Sequence, residues 1–149
     1  MVGNSFKKSK HNLYKESEKI RKYFLSLSWV QNAFDDDLEC ACCIVSKILY
    51  DHLKSKGFNV SFIEGIFDNG LFSSVDDEPN HCWLEVENKW IVDLTATQFG
   101  DYDPIHIIPI SDDEEYSLLL RDEDAFAHIK EYWPSEQQPV NNISIPNEI

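Results

Sequence analysis

The sequence has little positive charge and no long apolar run. Lys and Arg number 13 against 27 Asp and Glu, which gives a formal net charge of −14. A chain this acidic lacks the basic stripe that neutralises phosphates, so a nucleic-acid partner is disfavoured. No apolar stretch is long enough to cross a bilayer, and the charged N-terminus lacks the apolar run of a signal peptide. We therefore expect no membrane association and a cytoplasmic location.

Cysteine is scarce and is crowded into one segment. Three of the four cysteines, Cys40, Cys42 and Cys43, are nearly adjacent. That spacing is poorly suited to disulfide bonds among the three. Reduced thiols fit the pattern better than a disulfide framework does.

The length limits the chain to one domain. Its 149 residues are 42% hydrophobic, which is enough for one substantial core. Four Trp, six Tyr and nine Phe argue against disorder over most of the chain. We expect residues 1–134 to form a single domain and the polar residues 135–149 to be a loose C-terminal tail.

Periodicity predicts helices in the first third of the chain. Apolar residues recur near a helical period over 11–30 and again over 42–56, where Gly57 is placed as a C-terminal cap. Branched and aromatic residues predict a strand over 59–67, and the polar 68–80 predict a loop.

A β-hairpin is predicted next. Residues 81–86 and 90–94 read as two antiparallel strands joined by a short turn at 87–89. A further strand over 104–110 belongs at an edge because of its prolines. A final helix is predicted over 123–132. The order of elements indicates an α+β domain in which the N-terminal helices pack on an antiparallel β-sheet.

Cys42 stands at the start of the second predicted helix. The positive end of a helix dipole and its unbonded N–H groups lower the pKa of a thiol there and can also stabilise an oxyanion. Cysteine is equally among the most buried residue types, so clustered thiols that only fill a helix interface are the alternative.

His81 and Asp93 lie on the two strands of the predicted hairpin. The turn would return Asp93 to the neighbourhood of His81, where a carboxylate can orient an imidazole and stabilise its protonated form. This geometry depends on register, because a slip of one residue would turn a side chain to the other face. Cys42, His81 and Asp93 are therefore the candidate catalytic residues.

The hairpin carries a motif of the form H-x-W-x-E, then W, then D-x-T. In this chain the motif reads His81, Trp83, Glu85, Trp90, Asp93 and Thr95. An earlier block of the form G-x-C, followed by two glycines, reads Cys40-Ala41-Cys42, Gly57 and Gly65, with Cys40 in place of the usual Gly. Over about residues 38–99 the sequence thus resembles the transglutaminase-like branch of the papain-like cysteine enzymes, and this alignment selects Cys42 among the clustered thiols.

The resemblance implies a papain-like or transglutaminase-like catalytic core within residues 1–134. It implies attack by the Cys42 thiolate on an amide of a protein or peptide substrate, proton transfer by His81, and an acyl-enzyme resolved by water or an amine, with no cofactor and no metal. Glutamine deamidation or amide hydrolysis is favoured. Gln98, just after the motif, is the candidate substrate-binding residue, whereas Trp83, Trp90 and Phe99 are expected to pack the sheet core.

Three alternatives remain open at this point. A cysteine protease or a transglutaminase of the same fold would use the same thiol and imidazole. A catalytically inactive protein-binding module would keep the fold without the chemistry. A zinc site that uses Cys40, Cys42 and Cys43 with His81 or Cys82 has suitable ligand types but lacks the usual C-x₂-C spacing.

Overall fold

The computed structural model describes residues 8–27, 42–70 and 81–130, and the account that follows is of these residues. They form an α+β domain with three α-helices and an antiparallel sheet of five strands. This confirms the α+β class expected from the sequence. None of the helices in the described ranges is long and apolar enough to cross a membrane.

The first helix, α1, spans Lys10–Ser26. It begins after Ser9, whose side chain accepts a hydrogen bond of 3.1 Å from the backbone N–H of Asn12 and so satisfies one of the unbonded amides of the first turn. Helix α1 packs its buried side chains into the same core as the second helix, and Leu13, Ile20 and Phe24 are fully buried there.

The second helix, α2, spans Cys42–Ser55, and Gly57 forms its C-terminal cap as predicted. Gly57 has a φ of +93°, a conformation that glycine adopts at little cost. The N–H of Phe58 bonds to the carbonyl of Leu53 and the N–H of Gly57 to that of Lys54, each at 3.0 Å. This pair of bonds is the Schellman motif, which satisfies the last carbonyls of the helix.

The strands stand in the order β4-β3-β2-β1-β5, so both edges of the sheet come from the C-terminal half of the described chain. The bounds are Val60–Phe67 for β1, His81–Val86 for β2, Trp90–Asp93 for β3, His106–Pro109 for β4 and Tyr116–Arg121 for β5. The third helix, α3, spans Glu123–Lys130 and follows β5 directly. The predicted edge position of β4 is confirmed, whereas β5 was not predicted.

Strands β2 and β3 form the expected hairpin. The turn places Glu87 and Asn88 at φ values of 57° and 53°, as a type I′ turn requires, and Lys89 N–H bonds back to the Val86 carbonyl at 3.0 Å. The register pairs Leu84 with Val92. With alternate residues on opposite faces, this register directs Leu84 and Val92 to one face of the sheet and His81 and Asp93 to the other.

The two faces of the sheet are covered by different cores. Helices α1 and α2 cover one face in a large hydrophobic core. The other face carries a smaller cluster of buried residues, namely Ile63, Phe67, Trp83, Ile91, Phe99 and Tyr116. Trp83 and Phe99 thus pack on the sheet as expected, but on the face away from α1 and α2.

The sheet curves around this smaller cluster. The ring centroids of His106 in β4 and Tyr116 in β5 are 6.3 Å apart, although these strands are the two edges of the sheet. Such curvature lets side chains from distant strands meet over the face that carries His81 and Asp93.

Gly65 of β1 occupies a position with no room for a side chain. A Cβ atom there would lie 2.1 Å from the carbonyl oxygen of Ser117 and 2.6 Å from the Cη2 atom of Trp83. Gly65 is also the direct cross-strand partner of His81. The close approach therefore lets β5 and the Trp83 ring pack against β1 next to His81.

Candidate active site

The centre of the site is a buried pair formed by His81 and Asp93. His81 begins β2 and Asp93 ends β3, and the two side chains reach each other diagonally across the hairpin. The Nε2 atom of His81 and the Oδ2 atom of Asp93 are 2.6 Å apart, and both side chains are 0% exposed. The hairpin register thus brings together two of the three predicted catalytic residues.

Three further donors fix the carboxylate of Asp93. The backbone N–H and the hydroxyl of Thr95 donate to Oδ1 at 2.9 Å and 3.1 Å. The hydroxyl of Tyr116 donates to Oδ2 at 2.8 Å. Both carboxylate oxygens are therefore bonded, which holds the side chain in one rotamer and satisfies a charge that would otherwise be costly to bury.

The environment keeps Asp93 ionised. Burial by itself raises the pKa of this carboxyl, but the charge and hydrogen bond of His81, the Thr95 amide and the Tyr116 hydroxyl outweigh it, so the pKa lies below its ordinary value. Burial, together with the neighbouring Asp93 charge, raises the pKa of Tyr116 far above its ordinary value. Tyr116 is therefore a neutral donor to a charged acceptor.

This charge assignment fixes the role of each imidazole nitrogen. An ionised carboxylate only accepts hydrogen bonds, so Nε2 of His81 carries a hydrogen toward Asp93. In the neutral ring Nδ1 is then the basic nitrogen. The arrangement is suited to proton transfer at Nδ1, with Asp93 stabilising the imidazolium that forms.

Aromatic rings hold the imidazole from several sides. Phe99 lies edge-on to His81 with ring centroids 4.7 Å apart, and the Trp83 ring is stacked at 6.0 Å. Phe67 adds a further edge contact at 6.1 Å. These apolar walls restrict the ring to the orientation set by Asp93 and strengthen their electrostatic interaction by excluding water.

The backbone of Cys42 begins α2, as predicted, but its side chain lies outside the described residues. The neighbouring residues place the start of this helix. Cys43 Sγ is 2.7 Å from Cys82 Sγ, and the Ser46 hydroxyl donates to the Cys82 carbonyl at 3.5 Å. Because Cys43 follows Cys42 and Cys82 follows His81, the first turn of α2 lies against the first residues of β2.

Gln98 lies in a short 3₁₀ helix, Ala96–Phe99, that follows β3. Its side-chain amide donates to the carbonyl of Thr95 at 3.1 Å, and the residue is half-buried. The structure therefore places Gln98 three residues beyond Thr95, on the segment that supports Asp93. Its role in substrate binding stays a prediction.

Tyr116 is a residue of the candidate site that the sequence did not predict. It belongs to β5, which lies two strands away from His81 and three from Asp93 in the sheet order. Only the curvature of the sheet brings its hydroxyl to the carboxylate. The available sequence signal was the apolar run that follows Tyr116, which indicates a strand but not its partner.

Within the described ranges no group of three or more His, Cys, Asp or Glu side chains is arranged to hold a metal ion. Cys40 and the side chain of Cys42, two ligands of the zinc alternative, fall outside those ranges.

The fold and site together define an α+β domain with a buried His–Asp pair on one hairpin, in which both carboxylate oxygens of Asp93 accept hydrogen bonds. Comparisons of the chain with protein-family models, with curated proteins and with solved structures gave no match.

Removing the Tyr116 hydroxyl tests its contribution to the pair. We expect Tyr116→Phe to lower the free energy of unfolding at pH 7 by about 2 kcal/mol, because a bond to a buried charge is lost. Urea unfolding measures the change. Tyr14→Phe is the control, since Tyr14 is exposed, and it should stay within about 0.5 kcal/mol of the wild type. Equal changes in the two variants would contradict this role for Tyr116.

Proposed function

We propose that the chain is a thiol-dependent acyl-transfer enzyme that acts on amide bonds of proteins or peptides, with a papain-like or transglutaminase-like core. The favoured activity is that of a glutamine deamidase or of an amide or peptide hydrolase. Cys42 is the nucleophile, His81 the general base and acid, and Asp93 the residue that orients His81. The observation that carries the proposal is the buried 2.6 Å bond between His81 Nε2 and an Asp93 carboxylate held by three other donors.

The reaction follows from these roles. His81 Nδ1 takes the proton of the Cys42 thiol, and the thiolate adds to the amide carbonyl, with N–H groups at the start of α2 available to the oxyanion. The imidazolium gives its proton to the departing nitrogen, so a glutamine side chain releases ammonia and leaves a thioester. Water, deprotonated at the same Nδ1, then cleaves the thioester, yielding glutamate and the regenerated thiol.

The motif and the polar geometry support the same assignment from different directions. The motif requires His, Asp and Thr at set spacings, and in the structure Thr95 donates twice to the carboxylate that binds His81. A merely structural hairpin has no need of a buried charge, because replacing a buried ion pair with apolar side chains is commonly neutral or stabilising. The proposed proton transfer by His81 gives the buried His81–Asp93 pair a role that a structural hairpin does not need.

One observation favours a second candidate, a catalytically inactive protein-binding module. Both side chains of the pair are 0% exposed, and general acid–base catalysis needs the imidazole to meet substrate. In that case the His81–Asp93 pair would serve only to fix the register of the hairpin.

Mass spectrometry of glutamine-containing proteins and peptides separates the possibilities. The wild type should convert glutamine to glutamate, a gain of about 1 Da per site, and Cys42→Ala should not. Shortened peptides would indicate a protease, and products joined through a lysine side chain a transglutaminase. Equal products from the wild type and Cys42→Ala would remove Cys42 from the mechanism. The absence of any product, with Cys42 no more reactive to alkylation than Cys43, would favour the binding module.

A further inference from the structure

A pair of cysteine thiols lies on the opposite face of β2 from the His81–Asp93 pair. Cys43 of α2 and Cys82 of β2 are thiols whose sulfur atoms are 2.7 Å apart. A disulfide has a sulfur–sulfur length of about 2.05 Å, so bond formation needs only a small approach. Neither residue is assigned a role in the acyl-transfer chemistry, although each is the chain neighbour of a residue that is.

The two thiols differ in their access to solvent. Cys43 is half-buried, whereas Cys82 is 0% exposed and belongs to the large hydrophobic core beneath α1 and α2. A small oxidant can therefore meet Cys43 first. Cys82 is already in contact with that sulfur and is placed to react with it in a second step.

We propose that Cys43 and Cys82 form an oxidisable dithiol that closes into an intramolecular disulfide on reaction with a small disulfide such as oxidised glutathione. The Cys43 thiolate attacks one glutathione sulfur and releases one glutathione thiolate, which leaves a mixed disulfide. The Cys82 thiolate then attacks the Cys43 sulfur and releases the second. The protein loses two electrons and two protons, and one oxidised glutathione becomes two reduced molecules.

The disulfide ties the first turn of α2 to the start of β2. The two cysteines are 39 positions apart in the sequence, so the bond closes a long loop in the unfolded chain. Such a constraint lowers the entropy of the unfolded state and stabilises the folded state when native geometry is kept. Because the sulfur atoms already touch, the closed form retains the fold and gains stability.

Peptide mapping of the full-length protein tests the bond itself. The protein is incubated with oxidised glutathione, remaining thiols are blocked with iodoacetamide, and tryptic peptides are analysed. We expect peptide 23–47 joined to peptide 57–89, with fragmentation placing the link at Cys43, since Cys40 and Cys42 share that peptide. A link from Cys40 or Cys42, a link between two molecules, a persistent glutathione adduct or no link would overturn the proposal.

Thermal unfolding tests the consequence. The oxidised wild type should melt on the order of 10 °C above the reduced protein and return to the lower Tm with dithiothreitol. Cys43→Ser should show neither the rise in Tm on oxidation nor the fall with dithiothreitol. Cys40→Ser, the control, should show both. Cys43 is the residue to replace because serine at the fully buried Cys82 could unfold the protein. If protein that contains the mapped disulfide has an unchanged or lowered Tm, the proposed stabilisation by this disulfide is contradicted. Neither readout uses catalysis, so their outcome is separate from that of the proposed function.

Discussion

Replacing His81 with glutamine is expected to slow the reaction of Cys42 with iodoacetamide at pH 6 by about 100-fold, if the two act as a pair. An imidazolium beside the sulfur would stabilise the thiolate, and the wild-type thiol is then expected to react at pH values well below the pKa of an ordinary thiol. Without that partner a thiol with a pKa of about 8.5 is ionised to only about 0.3% at pH 6. The lower intrinsic reactivity of the paired thiolate offsets part of this difference.

The measurement is the alkylation rate of Cys42 by mass spectrometry across pH 5 to 9, with Cys40 in the same tryptic peptide as internal reference. His11→Gln is the matched control, because His11 is exposed on α1, and its profile should follow that of the wild type. On a confirmed substrate the His81→Gln variant should lose about 10²–10⁴ in turnover. Identical Cys42 profiles for His81→Gln and the wild type would mean that His81 does not act on this thiol.

The second large effect concerns stability. Asp93→Asn should lower the free energy of unfolding at pH 7 by about 3–5 kcal/mol, because it leaves His81 and the Tyr116 hydroxyl facing a neutral amide in a fully buried site. The effect should depend on pH. The folded-state pKa of Asp93 is depressed from the 3.8 of an unperturbed aspartate, so its stabilisation is present above about pH 4 and is lost as pH falls through the folded-state pKa.

Urea unfolding of wild type and variant between pH 7 and pH 3 gives this difference directly. The difference in free energy of unfolding between the two proteins should narrow below about pH 4. Asp112→Asn removes an exposed carboxylate and is the control, with little expected change at any pH. A gap that does not narrow in acid would show that the Asp93 charge is not what stabilises the pair.

The local parts of this fold could be predicted from the sequence. The cap at Gly57 and the hairpin of β2 and β3 depend on residues close together in the chain, and both are as predicted. The same is true of His81 and Asp93, because the turn and the alternation of the strands place them within 12 residues of each other on one face. Short-range geometry and period-two alternation suffice for such pairs.

The parts that depend on long-range packing could not be predicted. Strand β5 exposes most of its side chains, including Leu118 and Leu119, so it lacks the alternating pattern that marks a half-buried strand. The bond from Tyr116 to Asp93 requires the whole sheet to curve, a property of five paired strands rather than of any segment. The contact of Cys43 with Cys82 also arises from how α2 packs on the sheet.

Gly65 limits how this sequence can vary during evolution, because its position has no room for a side chain. A methyl group there would press on the backbone of β5 and on the ring of Trp83, and that ring is stacked on His81. A substitution at Gly65 would therefore disturb the imidazole as well as the fold, even though Gly65 offers no functional group of its own. Selection for the orientation of His81 would preserve glycine at a site that no substrate needs to touch.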